Sequence, residues 1–138
     1  MFKKLVSLIT VAVILSFLLT FFSIPVSSSD VSPCYLYTYS AFSTLTISGT
    51  TATCTSTAKG YIGLTTKVYT YQALEKKNSN NSWSLVESWG KNDIGYIGSA
   101  TNVKSGLAPG TYRLRTSFTV YAGSEYEIVE VLSFEKTI

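Results

Sequence analysis

Histidine is missing from this 138-residue chain altogether. Its absence removes the side chain that most often moves protons near neutral pH and the commonest metal ligand. Every Ser-His-Asp or Cys-His nucleophile goes with it. Charge is scarce too, at 14% Asp, Glu, Lys and Arg together, with no basic run to track a nucleic acid or an anionic membrane surface. Cysteine is limited to Cys34 and Cys54, too few and too far apart for a zinc site. Neither Gly60 with Gly63 nor Gly95 with Gly98 leads into a helical pattern, so no phosphate-cradling loop is present. No cofactor, metal or nucleic acid is expected.

The amino terminus is the exception to the sparse hydrophobic patterning. Lys3 and Lys4 precede an apolar run over residues 5–24, interrupted only by Ser7, Thr10, Ser16, Thr20 and Ser23. A positive start followed by an apolar core is the pattern of a secretion signal. Pro25 ends the run, and Val26, Ser27 and Ser28 supply short side chains for a signal peptidase, which puts cleavage after Ser28. A run of about 20 apolar residues also suffices to cross a bilayer, so an uncleaved membrane anchor is the alternative. Val31, Ser32, Pro33 and Cys34 faintly match the box before a lipidated cysteine, but Pro33 and the distance from Ile24 argue against it. Residues 130–138 carry a strand pattern with Glu135 and Lys136 rather than a hydrophobic sorting tail.

The expected product is therefore a secreted protein: residues 1–28 as signal peptide and residues 29–138 as one domain, about 110 residues being enough for a single core. Lys3 and Lys4 take two of the eleven basic residues, leaving nine against eight acidic ones, close to neutrality. An even cysteine count in an exported chain favours a Cys34–Cys54 disulfide. It would close a loop of about 20 residues and contribute on the order of 3 kcal/mol.

Beyond the leader the recurring period is two, the signature of strands. Residues 42–48 alternate through Leu45 and Ile47, and residues 51–58 through Ala52, Cys54 and Ala58, with Gly49 and Thr50 between them as a hairpin turn. Tyr35, Tyr37 and Tyr39 share a face of an extended segment ahead of it. Residues 65–76 form a strand that ends in the polar loop Asn78, Ser79, Asn80, Asn81. Trp83 to Trp89 resumes, residues 90–93 break, and residues 94–103, with Gly95 and Gly98, read as bulged or poorly paired. Pro109 and Gly110 turn into a last hairpin. With Ala122, Gly123 and Ser124 as a three-residue loop, Val120 pairs with Tyr126, Phe118 with Ile128, Leu114 with Leu132 and Tyr112 with Phe134. That register puts Glu130 inward beside Thr116, where burial would raise its pKa. About seven short strands with regular turns predict an all-β, antiparallel sandwich of immunoglobulin or fibronectin type, with a partly open barrel as the alternative.

Paired carboxylates are the one catalytic device available. Glu125 and Glu127 share a strand face about 7 Å apart, but a hairpin tip beside arginines suits solubility better than hydrolysis. The expectation is that the protein is not an enzyme. Asn78, Asn80, Asn81, Asn92 and Asp93 are turn-formers before they are calcium ligands. Asn80-Asn81-Ser82 fits a glycosylation acceptor in a eukaryotic source. Trp83 and Trp89 have the same parity on one strand; exposed, they would stack on sugar rings or anchor a protein, and buried, they fill the core and its rim.

Three stretches together carry a resemblance: Leu45-Thr46-Ile47-Ser48-Gly49 leading to Ala52-Thr53-Cys54; Trp83 followed by Ser88-Trp89; and Gly110-Thr111-Tyr112-Arg113 leading to Val120-Tyr121-Ala122-Gly123. With these the chain resembles a family of small secreted proteins of Gram-positive bacteria with a β-sandwich-like domain and no assigned activity. The resemblance implies no site residue. The functional expectation is a secreted, non-enzymatic binding or surface-interaction module for an extracellular protein or glycan, with no membrane contact after cleavage. A carbohydrate-binding module using Trp83 and Trp89 is the first alternative, and a structural protein assembling edge to edge is the second.

Overall fold

Threonine, valine and tyrosine at alternate positions suit a pleated, half-buried surface. The computed structural model, which describes residues 34–138, places them on eight strands. These are β1 (Thr38–Ser48), β2 (Thr51–Gly60), β3 (Lys67–Lys77), β4 (Trp83–Ile94), β5 (Ile97–Lys104), β6 (Thr111–Ala122), β7 (Glu125–Leu132) and β8 (Lys136–Thr137). All pairings are antiparallel. One sheet has the order β1-β2-β5 and the other β4-β3-β6-β7, with β8 also on β6. Two separate sheets make this a small β-sandwich, not an open barrel. Because β4 pairs with β3 instead of extending the first sheet, the strand order is fibronectin-like rather than that of a constant immunoglobulin domain. Among the described residues no helix is long and apolar enough to cross a membrane. The leader expected over residues 1–28 lies outside the described residues.

Turn chemistry sets the hairpins. Gly49 (φ 57°) and Gly123 (φ 66°) each open a two-residue turn, where a glycine with positive φ matches the twist of the strands it joins. At the second turn this corrects the expected three-residue loop, since Ala122, not Tyr121, faces Glu125. The one-residue shift moves every β7 side chain to the opposite face. Phe118 now meets Val129, and Val129 and Val131 supply the core in place of Tyr126 and Ile128. Glu130 turns outward opposite Ser117, with Arg115 Nη1 at 3.5 Å, so the buried carboxylate disappears. Two other expectations also change: β4 continues unbroken through residues 90–93, and β5 pairs with β2 without a bulge. Gly98 sits inside β5 because Val68 packs where a side chain would project; a Cβ there would lie 2.4 Å from Val68 Cγ1.

The interior is layered along the strands. Leu45, Cys54, Leu74, Tyr112 and Leu114 belong to one apolar cluster, and Ala58, Val68, Phe118, Val120 and Val129 to a second. Between them the same strands contribute Ser43, Ser56, Gln72 and Thr116 as a polar belt. The hydroxyls of Ser43, Ser56 and Thr116 lie 2.8–3.2 Å from one another. Gln72 Nε2 donates to Ser56 Oγ at 2.8 Å, and Gln72 Oε1 accepts from Asn102 Nδ2 at 2.8 Å. Each of these four side chains thus has a partner, which keeps its desolvation from destabilising the fold. At the start of β6 the Tyr112 hydroxyl donates back to the Ala108 carbonyl, a tyrosine corner of the kind found at this point in related sandwiches.

The expected disulfide is absent: Cys34 and Cys54 are free thiols. Thr38 pairs with Gly60, so Cys34 lies beyond that end of β2, while Cys54 sits opposite Leu45 in its middle. Six residues of strand span about 20 Å, far beyond the roughly 7 Å between Cα atoms that a disulfide tolerates. Burial pushes the Cys54 thiol up to about 11 and keeps it protonated and inert.

Candidate binding surfaces

Of the acids suggested for hydrolysis, Glu127 and Glu130 are engaged elsewhere. Glu127 accepts the backbone N–H groups of Leu36 and Tyr37, both at 2.8 Å, and so ties the segment before β1 to β7 across the edge of the sandwich. Glu125 is exposed at the turn and Glu130 faces Arg115. Among the described residues no group of three or more His, Cys, Asp or Glu is placed to hold a metal ion. Asn78 and Asn80 bond Ser82 within their own loop, Asn78 also reaches Ser84, and Asp93 accepts from the Ser99 N–H at 3.0 Å.

Trp83 and Trp89 do not share a face. The β3–β4 register shifts between Leu74 and Glu75, so that Leu74 faces Glu87 while Glu75 faces Leu85, leaving Val86 as the extra residue of a bulge. Trp89 then points inward beside Gln72 and packs on the first apolar cluster. Trp83 points outward opposite Lys77, its ring covered by the Arg113 guanidinium at 4.1 Å. Arg113 and Arg115 both donate through Nε to Glu75, at 2.7 and 2.8 Å. Burial pushes the Glu75 carboxyl up, yet the hydrogen bonds and charges of the two arginines outweigh it and hold the pKa below the ordinary carboxylate range. This cluster satisfies itself and offers little free charge to a ligand.

A different surface is open. The segment before β1, the β2–β3 loop, the β4–β5 turn and the β6–β7 turn meet at one end of the sandwich, here called the tyrosine end. Gly60 N–H donates to Tyr96 O at 2.7 Å, Gly95 N–H to Thr66 O at 2.8 Å and Thr66 N–H to Tyr121 O at 2.8 Å. Thr65 Oγ1 accepts from Tyr61 N–H at 3.0 Å and donates to Tyr37 O at 2.8 Å. These bonds hold in place a cleft of about 320 Å³ lined by Tyr39, Lys59, Gly60, Tyr61, Ile62 and Tyr96. The rings of Tyr39 and Tyr61 pack edge to face, with centroids 6.1 Å apart. Tyr39 and Ile62 are 72% and 79% exposed, values that leave most of each side chain to a partner. Sequence reasoning missed this surface: Tyr39 was visible as an aromatic, but its neighbours come from loops distant in the chain.

The opposite, asparagine end holds the β1–β2 turn, the β3–β4 loop and the β5–β6 loop. Its tips are Gly49, Thr50, Ser79, Asn80, Asn81, Ser105 and Gly106, all exposed and none apolar. Comparison with protein families and with curated proteins finds no match for the chain.

Proposed function

We propose that the chain is an exported, non-enzymatic binding module of a Gram-positive bacterium, freed by cleavage after Ser28, that engages its extracellular partner through the tyrosine end. The observation that carries the reading is the cleft of Tyr39, Tyr61, Ile62 and Tyr96, whose walls are hydrogen-bonded in place while their apolar surfaces stay in solvent. Such preorganised aromatic surface is what binding sites use, because little conformational freedom is lost on contact. The test is retention of the exported protein by intact cells of its source. Joint replacement Tyr61→Ala and Tyr96→Ala lowers retention by about tenfold or more, and Trp83→Ala leaves it unchanged. Unchanged retention in the tyrosine variant overturns the reading.

Carbohydrate recognition is a second reading, moved from the tryptophans to the tyrosines because Trp89 is turned into the core and the Trp83 ring is covered. Pull-down on insoluble glycans separates the two: loss of binding in the tyrosine variant supports a sugar ligand, and no glycan binding by the unaltered protein removes it.

A further inference from the structure

We infer that the tyrosine end seats on a lipid bilayer, its aliphatic tips in the outermost acyl region and its tyrosines at headgroup level. The inference rests on the reading of that end as the binding surface and names its partner. Beyond the cleft, Leu36, Leu64 and Ile94 also stand exposed at this end, Ile94 at 86%. Isolated exposed apolar residues such as Leu85, Val103 and Phe134 elsewhere on the domain are ordinary, but a group gathered around a cleft marks an interaction surface. Its composition favours membrane over protein: branched aliphatic side chains at the tips of turns, ringed by tyrosines, match the amphipathic belt that side chains form at a membrane interface.

The polypeptide's path supplies the second argument. Glu127 and Thr65 hold Leu36 and Tyr37 at this end, so the described residues begin here and not at the asparagine end. The apolar run stops at Ile24, and the nine residues 25–33 separate it from the domain. Fully extended they reach at most about 30 Å. While the run is held in a membrane, a spacer of that length keeps the domain close to the surface. Once the chain is cut after Ser28, apolar contact alone holds it there.

Charge plays a minor part. Lys59 and Lys67 at this end are matched in number by Glu125 and Glu127, and Lys91 pairs with Asp93 at 2.9 Å, so the surface is near neutral. Attraction therefore comes from buried apolar area, with weak dependence on salt and on anionic lipid.

The test is flotation of the Cys34–Ile138 unit, which carries both apolar clusters and all eight strands and so folds by itself. Protein-free vesicles of phosphatidylcholine and of an equimolar mixture with phosphatidylglycerol are the probes. The unit co-floats with both, and raised salt changes the bound fraction little. Ile62→Asp and Ile94→Asp each lower it about tenfold. Phe134→Asp, at another exposed apolar residue away from the tyrosine end, leaves it unchanged. Failure of the unaltered unit to co-float overturns the inference, and so does undiminished flotation of both aspartate variants. If the unit does not float while Tyr61→Ala with Tyr96→Ala still abolishes retention on cells, the bilayer is ruled out and the binding end stands with a glycan or protein partner.

Discussion

At the tyrosine end Tyr39, Ile62 and Ile94 stand in solvent, whereas the asparagine end is capped by Asn80, Asn81, Ser79 and glycines. Behind each lies an apolar cluster of similar make-up, one around Phe118 and Val120, the other around Leu114 and Tyr112. The interiors match and the surfaces do not. Exposed apolar residues also occur toward the asparagine end, at Leu85, Val103 and Phe134, but the tyrosine end gathers its own around one cleft. Residues that a fold does not need for stability are the ones free to serve binding.

The sharpest way to test the similarity of the two interiors is to empty one side chain from each. Phe118→Ala destabilises the fold by about 3–5 kcal/mol and Leu114→Ala by about 2–5 kcal/mol. Urea unfolding reads both as one cooperative transition; separate transitions for the two halves would break the comparison and leave two independent cores.

Next in size is the outward face of β3 and β6. Glu75→Gln lowers stability at neutral pH by about 2 kcal/mol, less than for a fully buried pair because both guanidinium groups reach solvent. The folded-state pKa of Glu75 is depressed. Its contribution is therefore complete above the ordinary carboxylate pKa of about 4.3 and fades as pH falls through the lower folded value. Unfolding measured from neutral to acid pH shows a shallower acid limb in the variant; an unchanged limb would mean that Glu75 is not held by its arginines.

Glu127→Gln sharpens the contrast between the ends. Its side chain keeps one acceptor oxygen for two N–H donors and loses the charge, so stability falls by about 1–2 kcal/mol. Amide hydrogen exchange speeds up at Leu36 and Tyr37 and stays as it was in the β5–β6 loop. Equal acceleration at both ends would deny Glu127 its local role.

The smallest effect is expected where the surfaces differ most. Ile62→Asp and Ile94→Asp change unfolding free energy by no more than about 0.5 kcal/mol, in line with 79% and 86% exposure. A loss of 2 kcal/mol or more would show that these side chains support the fold, and would remove the reason to assign them to a partner.

By itself the sequence determined what is local. Period-two alternation made the chain all-β, Gly49-Thr50 placed the first hairpin, and the Asn and Ser run marked the β3–β4 loop, because strand period and turn preference arise between near neighbours. Pro109 and Gly110 marked the turn before β6, but the tyrosine corner that Tyr112 closes on the Ala108 carbonyl appeared only in the structure. Which face each strand presents was decided in three dimensions. One residue at the Gly123 turn reversed β7 and freed Glu130, and the Val86 bulge parted Trp83 from Trp89. Glu127 found donors 90 and 91 residues away, and Cys54 lay strand-lengths from Cys34. The tyrosine end likewise exists only where four distant segments converge. Register and convergence follow from pairing energies between remote parts of the chain, and a pattern of period two reads the same in either register.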